Sequence, residues 1–109
     1  MTVAVGKAVG VRLSFPEAQL YVNGELLGGS DIMGCRACYK CFENKDKRCS
    51  VKDDLANECI EKMIMADGII LGSPVYFADV TAEMKALIDR AGFVSLANGG
   101  LYRNKVGAS

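Results

Sequence analysis

Residues 66–77 read ADGIILGSPVYF, and this stretch decides the fold class of the chain. Asp67-Gly68 is a break, the apolar run Ile69-Ile70-Leu71 follows it, and Gly72-Ser73-Pro74 ends the run. A short apolar run without alternation predicts a central β-strand covered on both faces, as in parallel sheets. We therefore expect residues 73–77 to form a loop at the carboxyl end of that strand.

A predicted helix precedes this strand. Ser50 and Asp53 have the spacing of a capping box, which predicts that the helix begins there and runs to Ala66. Its apolar residues recur at helical spacing, at Leu55, Cys59, Met63 and Ile64. Because Cys59 lies on this apolar stripe, we interpret it as a small core residue and not as a ligand.

A second predicted helix follows the strand, from Thr81 to Ala91. Its apolar face is formed by Met84, Leu87, Ile88 and Ala91. The order of helix, buried strand, loop and helix is typical of an α/β fold with a parallel sheet.

Four cysteines form the pattern C-x2-C-x2-C-x7-C at Cys35, Cys38, Cys41 and Cys49. Thiolates at this spacing on a curled loop can bind neighbouring irons of one iron-sulfur cluster, which is the leading hypothesis. A structural zinc site is the main alternative, although such sites usually use two separated C-x-x-C pairs. Free or disulfide-bonded thiols are the third reading. Lys45 to Arg48, between the last two cysteines, is a charge run that predicts a surface turn.

Composition limits the remaining possibilities. The 109 residues suffice for one small domain, and the 13 basic and 13 acidic residues balance, so charge does not indicate nucleic-acid or membrane binding. The chain contains no histidine, so catalysis must depend on a cofactor, thiols, carboxylates or backbone groups. An odd number of cysteines and no leader-like apolar run favour a reducing, cytoplasmic location.

The loop Ser73–Phe77 has two readings of equal weight. In open α/β sheets, ligands bind beyond the carboxyl ends of the strands. Tyr76 and Phe77 beside backbone donors suit a flat heteroaromatic ligand, with Ser73 as a hydroxyl donor and Pro74 stiffening the turn before Val75. Alternatively, both aromatic rings cap the core.

Three ordered motifs, Cys35–Cys49, Ala66–Phe77 and Met84–Arg90, together resemble the iron-sulfur flavoprotein branch of the flavodoxin-like NADPH-dependent FMN reductases. The resemblance covers Gly34 to Ala108. It implies a three-layer, flavodoxin-like parallel sheet, FMN contacted by Ser73, Pro74, Val75, Tyr76 and Phe77, and a 4Fe-4S cluster on Cys35, Cys38, Cys41 and Cys49. The implied function is that of an FMN-dependent oxidoreductase or electron-transfer protein, with NAD(P)H or a ferredoxin-like protein as redox partner.

The sequence also departs from the family. No Gly-Ser-Pro-Arg-like loop for the FMN phosphate precedes Cys35, and the final Lys105–Ser109 resembles the beginning of a further family strand. We therefore expect an incomplete, truncated or recombined copy of the fold that self-associates to cover unpaired edges. The alternative function is a metal-binding (Fe-S or zinc) or self-associating fragment without flavin-dependent activity.

The N-terminal part, residues 1–33, is predicted to be an arm or hairpin distinct from the partial flavodoxin-like domain at 34–109. The first eighteen residues suit a strand or a loosely held arm, and Asn23-Gly24 predicts the turn of a hairpin between Gln19–Val22 and Glu25–Leu27. Phe15–Ile32 resembles the substrate-side segment of glutaredoxins. No counterpart of the glutaredoxin active-site cysteine is present, so we interpret this segment as a fusion remnant.

Overall fold

The computed structural model describes residues 2–6, 23–26 and 31–109. Within these residues the chain forms four strands and three helices, which are β1 (Thr2–Gly6), β2 (Asn23–Leu26), α1 (Lys40–Asn44), α2 (Ala56–Met65), β3 (Gly68–Gly72), α3 (Ala82–Ala97) and β4 (Val106–Ala108). None of the helices described here is long and apolar enough to cross a membrane.

The strands form one sheet in the order β2-β1-β3-β4. β3 and β4 pair in parallel, with Gly68 opposite Val106, and α3 connects them as in a flavodoxin-like fold. This confirms the α/β class and the prediction that a strand begins after Lys105. β1 pairs antiparallel with both β3 and β2, so these two strands extend the parallel pair into a mixed sheet.

The N-terminal predictions have mixed outcomes. Thr2–Gly6 is a strand, as one of the two readings of this part proposed. The turn predicted at Asn23-Gly24 is wrong, because both residues lie within β2 and pair with Val5 and Ala4 of β1. Gln19–Val22, and most of the glutaredoxin-like segment, lie outside the described residues.

The core lies between α2, α3 and one face of β3. It contains Ile60, Cys59, Leu87 and Ile69 among its buried side chains, which confirms Cys59 as a core residue. Ile70, on the other face of β3, is 38% exposed, so the expectation that both faces of this strand are covered is wrong.

α2 begins later than its capping pattern predicts. The helix begins at Ala56 and not near Ser50, because Asp54 Oδ1 accepts the Ala56 amide at 3.1 Å while Asp53 stays exposed. It ends at Met65, within one residue of the prediction. The Lys105 ammonium donates to the backbone carbonyls of Ile64 and Ala66, at the end of the helix where a positive charge is favourable.

α3 is longer than predicted and has a different buried face. Thr81 caps it by accepting the Met84 amide, and the helix continues past Ala91 to Ala97. Met84, Leu87 and Ala91 are buried as expected, but Ile88 is exposed and Arg90 is buried. The guanidinium of Arg90 therefore lies in the interior, whereas Ile88, which was predicted to be buried, does not.

Candidate functional site

The cysteine segment, Cys35 to Cys49, is more ordered than the predicted loop. It contains the short helix α1, which follows a left-handed Tyr39 (φ 57°). Ala37, Lys45 and Lys47 also have positive φ angles, of 50°, 48° and 60°. These conformations curl the backbone tightly, at a cost of roughly 1–2 kcal/mol for each residue other than glycine. The charge run from Lys45 to Arg48 is exposed, which confirms the predicted surface turn.

All four predicted ligands line one small cavity between the cysteine segment and α3. Cys35 and Cys38 are exposed at its mouth, whereas Cys41 and Cys49 are half-buried. Phe93 and Val94 of α3 form part of the opposite wall. Among the described residues, no group of three cysteine or carboxylate side chains is arranged so that it could hold a single metal ion. Thiols that surround a shared cavity in this way can each take a different metal atom of one cluster.

Cys35, Cys38 and Cys49 each have a hydrogen-bond partner for the sulfur atom. The Ala37 amide donates to Cys35 Sγ at 3.4 Å, and the Cys38 sulfur and the Ser50 hydroxyl oxygen lie 3.3 Å apart. Arg90 Nε donates to Cys49 Sγ, also at 3.3 Å. Such donors stabilise a thiolate, the form in which cysteine binds metals.

Two of the cysteines have shifted acidities. The hydrogen bond to Ser50, helped by the backbone of Lys40, lowers the pKa of the Cys38 thiol. Burial raises the pKa of the Cys41 thiol. The exposed thiol therefore ionises more readily than the half-buried one.

Arg90 connects α3 to both ends of the cysteine segment. Its Nη1 donates to the Met33 carbonyl at 3.0 Å, and its Nη2 donates to the Val51 carbonyl at 2.9 Å. It also forms an ion pair with Asp54, in which both side chains are buried. Although burial alone would raise the pKa of Asp54, hydrogen bonds from Arg90 and from the Met33 amide lower it.

Asn57, on α2, holds Cys49 from the other side. Its Oδ1 accepts the Cys49 amide at 2.8 Å, and its Nδ2 donates to the Cys49 and Val51 carbonyls at 3.0 Å. Neither Asn57 nor Arg90 was assigned a role from sequence. The sequence does contain one indication of such a role, because both polar residues lie on the apolar face of their helix. Asn57 is three residues before Ile60, and Arg90 is three residues after Leu87.

Three aromatic rings attach α1 to α3. Tyr39, Phe42 and Phe93 form a cluster in which each pair of ring centroids is 5.7 to 5.9 Å apart. Contacts of this kind stabilise by about 0.5–1.5 kcal/mol beyond the buried area. The cluster holds α1 beside the cavity, where Tyr39 and Phe93 also contribute to the wall.

The predicted flavin loop, Ser73–Phe77, follows β3 at the carboxyl end of the parallel pair. Ser73 Oγ accepts the Thr81 amide at 3.1 Å, which ties the loop to the beginning of α3. Val75, Tyr76 and Phe77 are exposed, the last two at 84% and 93%. The alternative that Tyr76 and Phe77 cap the core is therefore wrong. This loop does not line the thiol cavity, which lies beside the middle of α3.

The fold and the cavity together define a class: an α/β domain with a four-thiol site and an open loop at the carboxyl end of its parallel strands. The model of the NADPH-dependent FMN reductase family matches residues 16–109, and the chain belongs to this family.

Several curated proteins are similar to the chain. An iron-sulfur flavoprotein of Methanocaldococcus jannaschii is 43% identical over 83 residues, which are 76% of this chain and 40% of that protein. Iron-sulfur flavoproteins of Methanosarcina thermophila and Archaeoglobus fulgidus are 40% and 41% identical, over 76% and 70% of this chain and 41% and 35% of their own lengths. The chain thus spans about 40% of the first two of these relatives. No solved structure matches it.

Proposed function

We propose that this chain functions as an FMN-dependent oxidoreductase or an electron-transfer iron-sulfur flavoprotein. The observation that carries the proposal is the convergence of Cys35, Cys38, Cys41 and Cys49 on one cavity, in a member of a family of FMN reductases. In this proposal the four thiolates hold a 4Fe-4S cluster, and Ser73, Pro74, Val75, Tyr76 and Phe77 contact FMN. The bound groups would supply one-electron and two-electron redox chemistry that the side chains lack.

The residues around the cavity suit a cluster in two respects. Val51, Phe93 and Val94 give it an apolar wall, which limits access of water. The Ala37 amide and the Arg90 guanidinium point donors at two of the sulfurs, which is the arrangement that stabilises cluster ligands.

Cys38→Ser tests the ligand assignment. We expect this variant, purified without oxygen, to hold much less iron and sulfide than the wild-type protein. Cys59→Ala is the matched control, because it removes a thiol that lies in the core and not at the cavity. Iron content that is equal in Cys38→Ser and in the control would contradict the assignment. Zinc in place of iron and sulfide would support the alternative of a zinc site.

The flavin loop is tested by titration with FMN. Tyr76 exposes nearly its whole ring, so a stacked flavin would bury it, and we expect Tyr76→Ala to weaken FMN binding at least tenfold. Leu96→Ala is the control, because Leu96 is an exposed apolar residue near the other end of α3. Equal affinity of the Tyr76→Ala and control variants would remove Tyr76 from the site. FMN that bleaches with dithionite while it stays bound would support the redox function.

The exposed patch Val75-Tyr76-Phe77 also favours a second candidate, a metal-binding fragment that self-associates without flavin. In both cases we propose a homo-oligomer. Sedimentation of the protein with and without FMN separates the candidates. Association that Phe77→Ser abolishes, in a protein that never binds FMN, would favour the second.

We propose that the protein lies in the cytoplasm and that its redox partner is NAD(P)H or a ferredoxin-like protein. The charge around the cysteine segment supports the choice of partner: six of the 13 basic residues, but only two of the 13 acidic ones, fall between residues 35 and 52. All six are exposed, and an anionic partner would be attracted to them. Reduction by such a partner should slow as salt is added. We also propose that residues 1–33 are an addition to the domain at 34–109, because their described strands, β1 and β2, extend the sheet of that domain.

A further inference from the structure

The guanidinium of Arg90 forms hydrogen bonds with the cysteine segment and with residues close to it in the sequence. Its side chain is fully buried, and it makes four hydrogen bonds, to Met33, Val51, Asp54 and Cys49. Met33 precedes the first cysteine ligand by two residues, and Val51 follows the last by two. One planar group therefore binds the backbone on both sides of the segment and one of its sulfurs.

We propose that Arg90 is a positioning residue with two effects on the cysteine segment. It holds the two ends of the segment together before any metal binds, and it donates to Cys49 Sγ so that the reduction potential of a bound cluster is raised. The first effect is independent of the proposed function, whereas the second rests on it.

The physical reason for the second effect is charge. Reduction adds a negative charge to a cluster, and a hydrogen-bond donor on a ligand sulfur stabilises that charge, more strongly where water is excluded. Asp54 fixes the guanidinium in the plane that directs Nε towards Cys49. Lysine has a single ammonium on a flexible stem, so it cannot serve both carbonyls, the carboxylate and the sulfur in this geometry.

The first effect is tested by amide hydrogen exchange of the metal-free protein. The Met33 amide donates to Asp54 Oδ2 at 2.9 Å, and the Cys49 amide donates to Asn57. We expect Arg90→Lys to speed exchange at Met33 at least tenfold. Arg48→Lys is the matched control, because Arg48 is an exposed arginine next to Cys49 in the sequence, and it should change nothing.

Arg90→Lys can prevent folding because Asp54 would be left buried with an unsuitable partner. The double variant Arg90→Met with Asp54→Asn leaves no lone buried charge. Because Asp54 itself accepts the Met33 amide, exchange in this variant is read at the Cys49 amide, which donates to Asn57 and should exchange faster. Exchange that is unchanged at Met33 in folded Arg90→Lys, or at Cys49 in the double variant, would overturn the proposal.

The second effect is tested by the midpoint potential, measured spectroscopically on samples with matched iron content. We expect Arg90→Lys to lower the reduced-to-oxidised ratio at a fixed potential about tenfold, which is a shift of about 59 mV for one electron. The Arg48→Lys potential should equal that of the wild type. An unchanged potential in Arg90→Lys would overturn this part. If the wild type binds no iron while Arg90→Lys still loosens the segment, the proposed function fails and the positioning role stands.

Discussion

Replacing Asn57 with alanine should destabilise the protein through the backbone of Cys49. The substitution removes the acceptor of the Cys49 amide and the donor to the Cys49 carbonyl. The Val51 carbonyl keeps its bond from Arg90, so it is not left without a partner. Two backbone groups lose their partners, at about 1–3 kcal/mol each. Because Cys49 is half-buried and water can reach it in part, we expect a loss of about 3 kcal/mol in the free energy of unfolding.

The assay is urea unfolding of the metal-free protein, followed by far-ultraviolet circular dichroism. Asn44→Ala is the control, because Asn44 is exposed at the end of α1 and its replacement should change stability by less than about 0.5 kcal/mol. Asn57→Asp keeps the acceptor but places a carboxylate against two carbonyls, so it should also destabilise. If Asn57→Ala unfolds at the same urea concentration as Asn44→Ala, then Asn57 does not hold the cysteine segment.

Three further predictions concern ionisable groups. Because the pKa of Asp54 is lowered in the folded state, its stabilisation is present above its ordinary pKa of about 3.9 and is lost as the pH falls below that value. In urea unfolding at neutral and acidic pH, the free energy of unfolding should therefore fall less on acidification in Asp54→Asn than in the wild type. Ser50→Ala should raise the pKa of Cys38, so that alkylation of the metal-free thiol, read by mass spectrometry, needs higher pH; equal profiles would refute this. Burial raises the pKa of Tyr102 to about 12, and its hydroxyl has no hydrogen-bond partner among the described residues. Tyr102→Phe should raise the free energy of unfolding, measured by thermal denaturation, by about 1 kcal/mol. A lower value would contradict the interpretation that the Tyr102 hydroxyl is buried without a partner.

Periodic apolar patterns predicted the central elements well. β3, the end of α2 and the beginning of α3 lie where the sequence places them, because buried positions in these elements recur with the period of the structure. The four cysteines converge on one cavity as their spacing indicates. Local sequence sufficed here because the period of the apolar residues, or the spacing of the cysteines, is itself a local property of the chain.

The remaining features depend on contacts between distant residues. Asp54 and Arg90 are 36 residues apart, and their pairing places a buried arginine on α3 that the local pattern does not indicate. α3 continues past Ala91 because Val94 and Ala97 are buried, although Gly92 weakens the helical signal. The antiparallel pairing of β1 with β3 likewise joins residues more than sixty positions apart.

The left-handed residues of the cysteine segment limit how its sequence can vary over evolution. Ala37, Tyr39, Lys45 and Lys47 occupy a backbone region that glycine and asparagine tolerate and that valine, isoleucine and threonine strongly disfavour. At Ala37, Lys45 and Lys47, substitutions are therefore limited by backbone handedness rather than by side-chain chemistry, whereas Tyr39 is also held by its ring contacts with Phe42 and Phe93. A survey of random variants should recover glycine and asparagine at these three positions and few β-branched residues, even though all three side chains are exposed.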